Sequence, residues 1–149
     1  MAQRSSMKIG MIEPHLQRFG GIRRMVEFAN RLVARGHQVT FFLPPDQEMS
    51  CHWMRCDAAI APIADTPLDI VLFNDERQWF LLDRFVSARR RAFYALHDGG
   101  LYGKGGSWES LRAPVDLRLA NSTWTADQVE RQTGERPVVQ LSGIDRALF

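Results

Sequence analysis

Several short stretches of this chain carry groups suited to chemistry. His97-Asp98 stands directly before Gly99-Gly100. An imidazole titrates near neutrality, so at the end of a strand it can donate to a developing negative charge or accept from a sugar hydroxyl. The competing reading is a solvated loop histidine. Gly20-Gly21 opens a long amphipathic segment. Glycines there let a ligand approach the backbone, and the free N–H groups and positive dipole end of a helix favour a phosphate. A tight turn into the helix would use the same residues. In Asn121-Ser122 the serine suits a helix cap, while the asparagine amide could meet a ligand hydroxyl.

Other chemistries find less support. Cys51 and Cys56 enclose a histidine in Cys-His-Trp-Met-Arg-Cys, but they are the only two cysteines. A structural zinc site generally needs four ligands in recognisable pairs. Ordinary reduced thiols are expected, with no metal, and this cysteine usage points to a cytoplasmic location. No Gly-x-Gly-x-x-Gly fingerprint occurs, and the second strand runs into Pro44-Pro45, although Asp46 could imitate an acidic ribose ligand. NAD binding is therefore not expected.

These groups need elements to hold them, and the chain reads as repeated strand–helix units. Residues 1–7 read as a flexible leader, with Met7–Glu13 an apolar run that opens the domain. The clearest helix spans about Gly21 to Arg35: Ile22, Met25, Val26, Ala29, Leu32 and Val33 make one stripe, and Gly36 stands at the stop. Gln38–Leu43 is a β-branched and aromatic strand, and Ala58–Ile63 a weaker one. Asp69–Asn74 reads as a buried strand and Glu76 to Arg90 as the helix after it. Ala92–Leu96 is the next strand, followed by a shorter helix near Ser107–Arg112. Val115–Ala120 is followed by a helix to Thr133, capped by Ser122 or by Thr125 with Gln128 in a capping box, and Pro137–Leu141 ends the series.

Strands separated by helices imply a parallel sheet covered on both faces, since each parallel crossover needs a helix. The expected fold is α/β, a Rossmann-like three-layer αβα domain over residues 8–149 with a mostly parallel sheet of about 6–7 strands. In such sheets ligands bind outside the carboxyl ends of the strands. That directs attention to the loops Glu13–Gly21, Asn74–Glu76, His97–Gly106 and Asn121–Thr123.

Bulk properties narrow the function classes. The 149 residues suffice for one domain with a substantial core, and 45% hydrophobic with 24% charged residues is ordinary for a globular chain. A net charge of +2 gives no footprint for nucleic acid. No apolar run approaches the roughly 18–20 residues of a membrane-spanning helix. Trp79, Phe80, Leu81, Leu82, Phe85 and Val86 precede Arg89-Arg90-Arg91. That pattern fits a core helix with cations at its C-terminus, and a peripheral contact with an anionic membrane is the alternative.

Taken in order, the segments resemble a known family. Lys8-Ile-Gly-Met-Ile-Glu13 followed by Gly20-Gly21-Ile-Arg-Arg-Met-Val-Glu-Phe-Ala-Asn-Arg-Leu-Val-Ala-Arg-Gly-His-Gln-Val-Thr40 is similar to the opening of family 4 retaining glycosyltransferases of the GT-B fold. Val115-Asp-Leu-Arg-Leu-Ala-Asn-Ser-Thr-Trp-Thr-Ala126 resembles the end of their first domain. Ser142-Gly-Ile-Asp-Arg-Ala-Leu-Phe149 resembles their Asn-Gly-Val-Asp-x-x-x-Phe, with serine in place of asparagine. The segment between the second and third strands is short for the family.

The resemblance implies two Rossmann-like domains across a cleft, this one holding the acceptor. The nucleotide-sugar-binding domain, with its Glu-x7-Glu motif, would lie outside this chain. It further implies that Gly20 and Gly21 meet the donor diphosphate and that His97 lies beside the sugar. Asp98, Asn121 and Arg18 are the expected acceptor contacts. The partners are then a nucleotide sugar and a small-molecule, glycan or lipid-linked acceptor, with no cofactor or metal. A stand-alone module that binds a glycan or nucleotide without catalysis is the alternative.

Overall fold

A computed structural model of the protein describes residues 5–74, 81–96 and 114–141. Its frame is one seven-stranded sheet: β1 (Lys8–Ile12), β2 (Gln38–Leu43), β3 (Ala59–Pro62), β4 (Leu68–Phe73), β5 (Ala88–Ala95), β6 (Leu117–Ala120) and β7 (Val138–Val139). The order across it is β3-β2-β1-β4-β5-β6-β7, and every pairing is parallel. This is the Rossmann-like α/β architecture expected. Helix α1 (Gly20–Ala34) joins β1 to β2, and α2 (Thr123–Thr133) joins β6 to β7.

The period of two along each strand divides the core between the faces. Met11, Phe41, Leu72, Ala92 and Tyr94 enter one cluster, where the α1 stripe of Ile22, Met25, Val26 and Ala29 covers them. Their neighbours Ile12, Phe42, Val71, Phe73, Phe93 and Ala95 enter the other, closed by Leu82, Phe85 and Val129 of α2. Each fully buried large apolar side chain contributes about 1.5–3 kcal/mol relative to exposure. Two filled faces explain why the central strands read as nearly continuous apolar runs.

The expected helix from Glu76 to Arg90 is corrected in its described part. Residues 81–84 form a single 3-10 turn, and strand β5 already begins at Ala88. The arginines pair along β4 instead, with Ile70 opposite Arg90 and Val71 opposite Arg91. Their side chains reach carboxylates: Arg89 to Asp69 and Arg91 to Asp83, each at 3.5 Å. The Arg91 backbone N–H donates to Asp116 at 2.7 Å. Three cations that looked like a dipole complement are thus the solvated amino half of a strand, and no described helix carries them. Within the expected leader, Ser6 donates to the Gly36 carbonyl at 2.7 Å, and the Met7 N–H to His37 Nδ1 at 3.2 Å.

Capping also settled differently from one expectation. Ser122 is the N-cap of α2 and accepts from the Thr125 N–H at 3.1 Å, so no capping box at Thr125 and Gln128 starts this helix. Gly134 ends α2 in the left-handed region at φ 77°, which favours glycine.

Gly10 in the inner strand β1 is closely packed on its side-chain side. A Cβ there would stand 2.6 Å from Leu68 Cδ1 and 2.9 Å from Phe42 Cε2. Gly10→Val is expected to destabilise the domain by about 1–3 kcal/mol through overpacking. A thermal melt followed by circular dichroism checks this, and an unchanged midpoint would contradict it.

Candidate functional site

The strand order reverses between β1 and β4, and a crevice at such a switch point is where open parallel sheets bind ligands. Ile12 pairs with Phe73, so the next residues, Glu13 and Asn74, stand side by side at the two strand mouths. Both are buried, at 1% and 7% exposure. Sequence reasoning singled out the loops that begin here but neither side chain. The available signal was a polar residue closing an apolar strand on the ligand-bearing edge.

Beside this crevice lies the start of α1. Phe19 is its N-cap and supplies no side-chain cap, and the first turn holds no acidic residue. Instead Arg23 and Arg24 follow the glycines, against the preference of the positive dipole end for anions. A Cβ on Gly20 would find no described atom within 4 Å, so the packing of the described residues does not demand a glycine there. A Cβ on Gly21 would touch Leu96 Cδ1 at 3.4 Å. The helix start therefore sits against the end of β5, one residue before His97.

That β5 end is fixed from both sides. Tyr94, 1% exposed, accepts from Arg24 Nε and Nη2 at 2.8 and 2.6 Å and donates to the Gln140 carbonyl at 3.0 Å. Arg24 Nη2 also donates to that carbonyl at 2.9 Å. One phenol thus links α1, β5 and the segment after β7. From the other side Asn121 Nδ2 donates to the Leu96 carbonyl at 2.7 Å, and the Asn121 N–H to the Ala95 carbonyl at 3.1 Å. His97 and Asp98 lie outside the described residues, as do the Gly99-Gly100 loop, the short helix near Ser107–Arg112 and the Ser142–Phe149 motif.

Arg18 is exposed in the loop between β1 and α1. It lines an open groove of about 260 Å³ with His15, Gln17, Glu48, His52 and Trp53. Trp53 Nε1 donates to the Leu16 carbonyl at 2.8 Å and anchors the groove wall. His52 lies 2.7 Å from Glu48 and, with Ser50, holds that carboxyl below the ordinary carboxylate range. The groove thus offers a guanidinium, imidazoles and amides around an indole. Of the expected site residues, Gly21 and Asn121 meet at Leu96, Gly20 precedes Gly21 at the start of α1, and Arg18 lines the groove.

Among the described residues no group of three His, Cys, Asp or Glu side chains could hold a metal ion. Cys51 and Cys56 are half-buried thiols, and burial pushes the Cys56 thiol above its usual range. No described helix is long and apolar enough to cross a membrane. Phe19, Trp124 and Leu141, on the helix starts and the β7 exit, are 58%, 58% and 65% exposed.

These features define a Rossmann-like domain with its polar and glycine-bearing groups gathered on the carboxyl edge. No protein-family profile and no curated protein matches the chain. Solved structures do, among them the crystal structure of Anabaena Alr3699/HepE in complex with UDP-glucose. That likeness has a TM-score of 0.68 at 15% identity, and it covers 95% of this chain but 45% of that one. It bears out the fold, and the chain spans less than half the length of that neighbour.

Tyr94→Phe is expected to cost about 1.5–3 kcal/mol, because it takes a hydrogen-bond acceptor from a guanidinium. Chemical denaturation of the variant and parent chain gives the difference directly. A loss below about 0.5 kcal/mol, the low end for an ordinary hydrogen bond, would mean that the Arg24–Tyr94–Gln140 link adds little.

Proposed function

We propose that this domain is the N-terminal, acceptor-side half of a GT-B glycosyltransferase of the family 4 retaining type, which moves a sugar from a nucleotide donor to an acceptor hydroxyl. The observation that carries the reading is the uncapped, acid-free start of α1 at Gly20-Gly21, beside the switch point of an all-parallel sheet. The likeness to a protein crystallised with UDP-glucose supports a nucleotide sugar as donor. The exposed Phe19, Trp124 and Leu141 fit an edge that faces a second domain.

In this reading the backbone N–H groups of Gly20 and Gly21 receive the donor diphosphate, and the neighbouring arginines add positive charge as the leaving group develops negative charge. His97 hydrogen-bonds the reacting sugar. Arg18 and Asp98 contact the acceptor, whose body lies in the groove of His15, Glu48 and His52. Neutralisation by helix and side chains leaves no step that requires a metal. The domain alone positions only one of the two reactants, so transfer needs the second domain.

In the full-length protein, His97→Ala is expected to lower turnover of UDP-glucose by roughly 10²–10⁴-fold, the range for a positioned acid–base group. Near-normal turnover would overturn the role of His97. A gene that stops after Phe149 would favour the non-catalytic binding module instead.

Gly20→Ala separates function from folding. An alanine methyl meets no described atom there and is expected to raise stability by about 0.4–1 kcal/mol, while it weakens UDP-glucose binding measured by calorimetry. Unchanged binding would remove the phosphate from this helix start.

A further inference from the structure

The groove that Arg18 lines runs between two segments of the chain. One wall is the β1–α1 loop, with His15 and Gln17; the other is the connection from β2 to β3, with Glu48, His52 and Trp53. What each group can offer a ligand follows from the bonds it has already made. An indole has a single donor, and the Trp53 N–H is spent on the Leu16 carbonyl at 2.8 Å. What Trp53 leaves for the groove is apolar ring. The C–H side of a sugar ring is apolar and packs on such a surface, while its hydroxyls need polar partners at the rim.

The rim supplies them, and it is rich in donors. His15 Nδ1 accepts from the Gln17 backbone N–H at 3.3 Å. A backbone amide can only donate, so the neutral His15 ring carries its proton on Nε2 and meets a ligand as a donor. The same ring packs against Phe19, the N-cap of α1, with centroids 5.2 Å apart, which ties this wall to the helix start. Glu48 supplies the carboxylate among the described lining residues, and the wall itself engages it. His52 Nε2 lies 2.7 Å from Glu48 Oε1 and 2.9 Å from Ser50 Oγ. Arg18 differs, because no carboxylate among the described residues pairs with it. Its guanidinium keeps a planar fork of donors, which matches a carboxylate or a phosphate two bonds at a time.

We infer that this groove binds one sugar unit bearing an oxyanion, with the sugar ring on Trp53 and the anionic group on Arg18. The inference rests on the acceptor-side reading of the domain and names the acceptor as an acidic sugar. The size agrees: about 260 Å³ is below the roughly 300–1,000 Å³ of pockets that enclose drug-sized ligands, so one sugar unit fills it and the rest of a longer acceptor stays outside.

The test titrates this 149-residue chain with glucuronate, glucose 6-phosphate and glucose at low ionic strength. The readout is the NMR signal of the Trp53 indole N–H, assigned by its loss in Trp53→Phe. An acidic sugar should move that signal and bind roughly 5-fold more tightly than glucose, the upper end for an exposed charge pair. Arg18→Gln should bring the acidic sugars down to the level of glucose. A response to only one of the two acidic sugars upholds the inference and tells carboxylate from phosphate. Equal binding of glucose and both acidic sugars would overturn it, as would equal shifts from acetate and inorganic phosphate alone, or no response to any sugar. UDP-glucose binding by the same chain, measured by calorimetry, keeps the two readings apart. If that binding is lost to no effect on the groove, the donor reading has failed; if the groove is silent while UDP-glucose binds, the acidic-sugar inference has failed.

Discussion

The rest of the structure depends on one constraint, the burial of an all-parallel sheet on both faces. Parallel strands cannot be joined by tight turns, so after each strand the chain must cross back over the sheet before the next can begin. Every strand then points the same way, and every crossover departs from the same edge. The carboxyl ends of β1, β4, β5 and β6 and the starts of α1 and α2 therefore collect on one side of the domain. The polar groups of interest share an edge because a topology that fills two apolar faces leaves them nowhere else to go. Gly10 shows how tight the filling is, since β1 meets Phe42 and Leu68 too closely for even one added carbon.

Within that edge the β5 end concentrates the connections. Tyr94 joins α1 to the segment after β7, while Asn121 joins α2 to Leu96. Each link is one side chain that serves several backbone or charged partners, so each removal leaves a half-buried group short of a partner. The strand end lies between two covered faces: Tyr94 belongs to the cluster under α1, and Ala95 to the cluster that Val129 of α2 closes.

The frame was legible in the sequence because its signals are local. The α1 stripe of Ile22, Met25, Val26 and Ala29 and the β2 run Gln38–Leu43 declare their elements by periodicity alone, and the faint run at Ala58–Ile63 proved to be β3. The helix expected through Arg90 failed because propensity is silent about pairing: Ala88–Arg91 becomes strand through β4 and through Asp69, Asp83 and Asp116. The candidate site was legible in part. Gly21 and Asn121 do meet at Leu96, because their positions follow from where strands end. What Asn121 does there was not legible, since its partners Leu96 and Thr125 are a matter of tertiary packing. Glu13 and Asn74 were missed for a related reason: a polar residue at a strand end looks like an ordinary exit into a loop until its burial is known.

The start of α1 goes against every local preference for such a helix end. It has no side-chain cap, no acid in its first turn, glycines where better helix formers were available, and arginines close behind. Elsewhere the same chain follows the rules: α2 has a serine cap and a left-handed glycine at its end, and α1 itself is strongly amphipathic. When local signals agree through most of a fold and fail together at one place, the failure is best explained by something that place does. Here the departures have a common sense. Arg24 is accounted for by its bonds to Tyr94 and Gln140, and Arg23 by its pair with Glu27. The missing cap, the missing acid and Gly20 are not. Together they leave the helix end more positive and more open than the packing of the described residues requires, which an anion bound against Gly20 would turn to advantage.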